Sequence, residues 1–154
     1  MTAPNHALTG ALIGLTVSNP VLALPLAFLS HFVCDAIPHY DPPETDKAKR
    51  MNSKRFLVEF LVVGAVLCAA LVLVLAATRP RHWLQAATCA FLATSPDLLW
   101  IPRFVHVKRT GKDAPLHNPF LKFHTRIQWK TGPKLIWLEA AWFVIFGALV
   151  ATHL

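Results

Sequence analysis

A chain of 154 residues is one domain's worth, and here 55% of it is hydrophobic and only 15% charged, against roughly 25% charged in soluble domains. The apolar residues come in long blocks, which argues against a soluble fold and for an integral membrane protein made of helices. The net charge of +7 does not point to nucleic acid, because the Lys and Arg lie in loops between apolar blocks and not along one helical face.

Five apolar stretches follow in chain order, at 7–17, 21–37, 56–77, 83–101 and 135–151. The expected fold is all-α, a single transmembrane domain over 1–154 with four or five apolar helices. A bilayer core about 30 Å thick takes about 20 helical residues, which the third and fifth stretches reach and the first does not. Asn19-Pro20 therefore marks the turn of a short or re-entrant hairpin, the alternative being one span kinked there. Gly10 and Gly14 give the first helix a GxxxG spacing suited to close packing on a neighbour. The N-terminus lacks the basic flank of a signal peptide, so the first helix is expected to stay in the mature protein. Cys34, Cys68 and Cys89 each fall inside an apolar block and read as reduced packing residues.

Basic residues set the expected topology. Loop 38–55 carries Lys47, Lys49, Arg50, Lys54 and Arg55, and loop 101–134 carries Arg103, Lys108, Arg109, Lys112, Lys122, Arg126, Lys130 and Lys134. Only Arg79 and Arg81 stand between the third and fourth stretches. The positive-inside rule puts both rich loops in the cytoplasm and the C-terminus outside. With the first two helices as a hairpin, the N-terminus is inside too.

That topology gathers the polar residues of interest at one face. His31 and Asp35 stand four residues apart, so a helix places both on one side. Pro38 ends that helix and is expected to turn His39 and Asp41 back toward the same end. His6 begins the first helix there, Asp97 ends the fourth stretch there, and His124 lies in the second basic loop. Imidazole and carboxylate in this combination suit a divalent metal, zinc first and manganese second. The expected ligands are His6, His31, Asp35, His39, Asp97 and His124, with Asp41 or Asp97 as catalytic base.

Each position has a plainer alternative. Ser95-Pro96-Asp97 reads as a helix start with Ser95 as N-cap, where Asp97 would merely offset the helix dipole. His124, with Phe120, Ile127 and Trp129 nearby, also fits an interfacial helix attracted to anionic lipid. His106 and His117 read as surface residues, and His82 and His153 as interfacial residues at the opposite face. Glu59 pairs with Arg55 along a helix, and Glu139 could accept the free N–H of a ligand histidine. No serine triad, Walker loop or GxGxxG is present.

The pattern His31-x-x-x-Asp35-x-x-Pro38-His39-x-Asp41, with Pro96-Asp97 and the early His6 to Gly10, resembles the small bacterial inner-membrane proteins classed as membrane-bound metal-dependent hydrolases. The His-x-x-x-Asp element is also similar to the zinc-dependent phospholipase C group, where those two residues are zinc ligands, which would carry over to His31 and Asp35. That group has a longer spacing to its last His, and the family's His-Arg…His element is reduced here to His124-Thr125-Arg126. The resemblance implies hydrolysis of a phosphoester in a lipid or lipid-linked substrate at the cytoplasmic membrane face. A non-enzymatic anchor or assembly subunit with a structural His/Asp network is the alternative, and a proton or metal-ion path is a third reading.

Overall fold

A computed structural model describes residues 1–41, 47–79, 81–113, 115 and 117–154, without the side chains of Lys47, Ala48, Arg50, Arg55, Glu59, Phe60 and Leu61. The expected Glu59–Arg55 pair and the cationic groups of Lys47 and Arg50 lie outside the described residues. Helix α1 (Ala3–Thr16) is followed by α2 (Pro20–Ala36), the short α3 (Lys47–Asn52) and α4 (Lys54–Phe56). A π-helical stretch, Leu57–Val63, leads directly into α5 (Gly64–Thr78). Then come α6 (Trp83–Thr94), a 3₁₀ stretch Ser95–Trp100, α7 (Ile101–Thr110), α8 (Pro119–Ile127) and α9 (Ile136–Ala151). The all-α expectation holds among the described residues. The basic loop expected over 101–134 instead contains α7 and α8, and loop 38–55 contains α3.

The sequence explains these boundaries. Asn19 caps α2 by accepting from Val21 N–H, with Pro20 in the first helical position. Asn118-Pro119 repeats the device at α8. Helix α7 ends at Gly111, whose φ of +67° suits a residue without Cβ. Ser95 does not cap a new helix. Its hydroxyl bonds back to the Leu92 carbonyl, and the chain tightens from α6 into 3₁₀ without a break.

Helix α1 is the centre of the molecule, packed by α2, α5, α6 and α9. It runs antiparallel to α2: His6 meets Asp35 near one end, while Ile13 and Val17 pack with Ala23 and Ala27 near the other. The first two helices are thus a hairpin and not one kinked span. Against α6, α1 comes closer than side chains normally permit. A Cβ on Gly10 would collide with the Cys89 carbonyl oxygen and lie 2.7 Å from Ala93 Cβ, and one on Gly14 would lie 2.6 Å from Ala86 Cα. The facing side of α6 is all small: Ala86, Cys89, Ala90 and Ala93 are buried. The GxxxG spacing therefore performs the packing expected of it.

Among the described residues one helical stretch, Pro133–Ala151, is long and apolar enough to cross a membrane, while Pro20–Ala36 and Gly64–Thr78 are apolar but shorter. After α2, residue 39 pairs in extended form with 131, its N–H donating to the Lys130 carbonyl and its carbonyl accepting from Gly132 N–H.

Gly10→Ala and Gly14→Ala should each lower stability by about 1–3 kcal/mol, the usual cost of forcing atoms into a filled interface. Gly147→Ala, where a Cβ meets nothing within 4 Å, should leave the unfolding midpoint unchanged or slightly raised. Thermal unfolding of the three purified variants checks this.

Candidate metal centre

His31 and Asp35 project from the last turns of α2 toward the point where α1, the Ser95–Trp100 stretch and α8 converge. There they meet Asp97 and His124, and one ligand atom from each of the four residues lies within 4.8 Å of the others. His31 Nε2 is 2.9 Å from His124 Nε2, 3.3 Å from Asp35 Oδ2 and 3.8 Å from Asp97 Oδ1. His124 Nε2 is 2.6 Å from Asp35 Oδ2 and 3.9 Å from Asp97 Oδ1. A tetrahedral ion with bonds of about 2.0 Å separates its ligands by roughly 3.3 Å, and these distances straddle that value. The donor set, two imidazoles and two carboxylates, is one that zinc accepts. His31, Asp35 and His124 are buried, whereas the Asp97 side chain is 39% exposed, so Asp97 forms the open edge.

Asp35 is the hub. Oδ2 accepts from His124 Nε2 and from Gln128 Nε2 at 2.8 Å. Oδ1 accepts from His6 Nε2 at 3.1 Å and from the Met1 amine. A carboxylate 1% exposed is tolerable only with such partners, because burying an unpaired charge is prohibitively costly. His6 thus touches the other face of the same carboxylate and stacks on His31, ring centroids 4.1 Å apart, and it stands outside the four-residue group. Its buried Nδ1 has no partner among the described residues.

The surroundings fix ring orientations. His31 Nδ1 donates to the Ala93 carbonyl at 2.8 Å, and Trp100 Nε1 donates to His124 Nδ1 at 3.2 Å. Phe32 and Phe120 pack around His124. Just beyond α8, Trp129 Nε1 donates to the Ala36 carbonyl, tying the end of that helix to the end of α2.

His39 and Asp41 are not part of the group. Pro38 ends the helix, yet the chain beyond it runs extended along 130–132 and does not fold back. His39 Nδ1 donates to the Ile37 carbonyl at 2.7 Å, and burial holds its imidazole below the ordinary range. Asp41 accepts from Thr131 Oγ1 at 3.4 Å. Glu139 is buried, but it accepts from Thr2 and Asn5 at the start of α1 and from no histidine among the described residues. His106 and His117 are exposed. Gln128, Trp100 and the Ala93 carbonyl were not foreseeable as site residues from composition. The one available signal was spacing, since Gln128 follows His124 by one helical turn.

No family model matches the chain, and neither curated proteins nor solved structures give a match. The resemblance drawn from the motif residues therefore stands on those residues alone.

Asp35→Ala should cost about 3–5 kcal/mol, because it strands buried donors from α1 and α8 together. Asp97→Asn, at the open edge, should cost less than about 1 kcal/mol. Chemical unfolding of both variants beside the parent protein measures the contrast, and equal losses would contradict the assignment of Asp35 as hub.

Proposed function

We propose that this chain is an integral membrane protein that holds a divalent metal, zinc first and manganese second, and hydrolyses a phosphoester of a lipid or lipid-linked substrate at the cytoplasmic face of the bacterial inner membrane. The observation that carries this reading is the convergence of His31, Asp35, Asp97 and His124 beside a run of exposed cations. Lys122 and Arg126 stand on the exposed side of α8, opposite buried His124, and Arg109, Lys112 and Lys130 are also exposed, a setting suited to anionic headgroups.

Membrane embedding is supported by what the helices leave uncovered. Val21, Leu22, Leu26, Leu29 and Val33 are exposed along α2, Leu73 on α5, and Val144 and Ile145 on α9. Apolar surface on this scale needs a nonaqueous neighbour. Helix α2 is about 25 Å long, and the unbroken helical run 54–78 about 35 Å, which suits a bilayer core. An apolar crevice of about 180 Å³ lies between α1, α5 and α6, lined by Ala7, Cys68, Val72, Ala90, Phe91 and Thr94 among others. Apolar cavities of about 150 Å³ take up a benzene ring, so the crevice has room for a short stretch of lipid chain.

His31, Asp35 and His124 would hold the ion, with Asp97 at the open edge as an exchangeable fourth donor. The ion would supply a Lewis acid for the phosphoryl oxygen and would activate a water taking that fourth position. Asp97, at the open edge with Oδ1 toward both histidines, is placed to take the proton of an attacking water. Asp41, bonded to Thr131, stands apart, so we assign that role to Asp97. The exposed Lys and Arg side chains of this end of the chain would attract an anionic phosphate to it. Buried Asp35 keeps the imidazoles in place.

A structural network without chemistry is the second reading, favoured by the full set of donors already on Asp35.

Phospholipids and isoprenoid phosphates with added zinc or manganese are the test substrates. Asp97→Asn should lower turnover by about 10²–10⁴-fold with folding intact. No metal-dependent turnover on any substrate, with stable co-purification of another membrane protein, would favour the structural reading. Topology is tested separately by single cysteines in a Cys-free background. An impermeant thiol reagent added to intact cells should label Arg81→Cys and not Lys112→Cys, and the reverse pattern would place the centre outside.

A further inference from the structure

The contact between Trp100 and His124 decides which ring nitrogen of His124 carries the proton and which the lone pair. An indole N–H only donates, so His124 Nδ1, 3.2 Å from Trp100 Nε1, is the acceptor, and the proton of the neutral ring stands on Nε2. That proton points into the centre, toward Asp35 Oδ2 at 2.6 Å and His31 Nε2 at 2.9 Å. His31 is set the opposite way. Its Nδ1 donates to the Ala93 carbonyl, leaving a lone pair on Nε2. A metal-bound histidine ordinarily donates its other N–H to an acceptor. His31 meets that condition and His124 does not.

We propose that Trp100 is a latch on metal occupancy: its indole N–H keeps His124 in the tautomer that donates into the centre, and an ion enters only when that hydrogen bond is released. For His124 Nε2 to become a ligand, its proton moves to Nδ1 and there confronts the Trp100 N–H, donor against donor. The indole must swing away. Trp100 closes the Ser95–Trp100 stretch as the N-cap of α7, and the Arg103 guanidinium of α7 lies over its ring, 5.4 Å from the centroid. Release of the latch is thereby coupled to α7. The inference rests on the metal reading above and adds to it the element that controls filling.

Trp100→Phe keeps an aromatic ring and removes the N–H, and Trp100→Leu removes the donor with an aliphatic side chain, so the test survives poor folding of either. Nitrogen NMR of chelator-treated, ¹⁵N-histidine-labelled protein reads the tautomer without any metal, with His124→Gln identifying the signal. The parent should show His124 protonated at Nε2, and the variants should shift toward Nδ1. Zinc affinity, measured by competition with a chromophoric chelator, should rise about tenfold in the variants, the weight of one buried hydrogen-bond conflict, and His31→Ala should abolish it. A parent protein already protonated at Nδ1, or equal zinc affinities in parent and variants, overturns the latch. No zinc binding in any of them overturns the metal reading and the latch that rests on it, whereas equal binding by parent and variants overturns the latch alone.

Discussion

The buried carboxylate of Asp35 is the constraint on which the arrangement of this end of the molecule depends. A charge 1% exposed has to be met by donors, and no single helix supplies enough of them. Helix α1 brings His6 to Oδ1, while α8 brings His124 and Gln128 to Oδ2. Elements far apart in sequence are thereby drawn to one point. The short, amphipathic α8, with exposed Phe123 and followed by exposed Trp129, has little apolar area with which to dock. Its attachment to α2 rests on these polar contacts, on the Trp129–Ala36 bond and on the packing of Phe32 against Phe120.

A second constraint acts through backbone proximity. The absence of Cβ at Gly10 and Gly14 lets α1 settle against the small face of α6, and this sets the height of everything that follows α6. Ala93 presents its carbonyl to His31 from that face, and Asp97 follows one turn later. Packing in the apolar middle thus fixes the geometry of the polar end. Widening the α1–α6 spacing would move Asp97 and the Ala93 carbonyl relative to His31 before it touched any site residue directly.

The features legible in the sequence were those carried by local periodicity. The i, i+4 pair His31 and Asp35, the GxxxG face, the hairpin turn at Asn19-Pro20 and the approximate bounds of the apolar helices all follow from spacing of 3.6 per turn. His6, Asp97 and His124 were reached by an argument from sidedness, which says which face a residue occupies but not how deep it sits. That argument could not separate His39, which is buried at the same end but held by Ile37, from His124, which enters the cluster. Pro38 announces the end of α2, but the path beyond it is set by pairing with 130–132, a long-range contact that leaves no local signature. Helices α7 and α8 were hidden for a related reason: their many cations read as loop, although a short amphipathic helix tolerates them on its exposed side.

The two oxygens of Asp35 divide structural and chemical duties. Oδ1 faces α1, where His6 holds it, and nothing in the cluster of four competes for that oxygen. Oδ2 faces His31 and His124 and is the oxygen that changes partner if an ion replaces the His124 proton. Because the α1 contacts are made on the opposite oxygen, exchange at Oδ2 need not loosen the central helix. Gln128 gives a further margin, since its amide can follow Oδ2 or release it at little cost from a partly exposed position. A single buried carboxylate can therefore anchor the fold through one oxygen and serve the site through the other, which reconciles its heavy load of hydrogen bonds with a place in a metal centre.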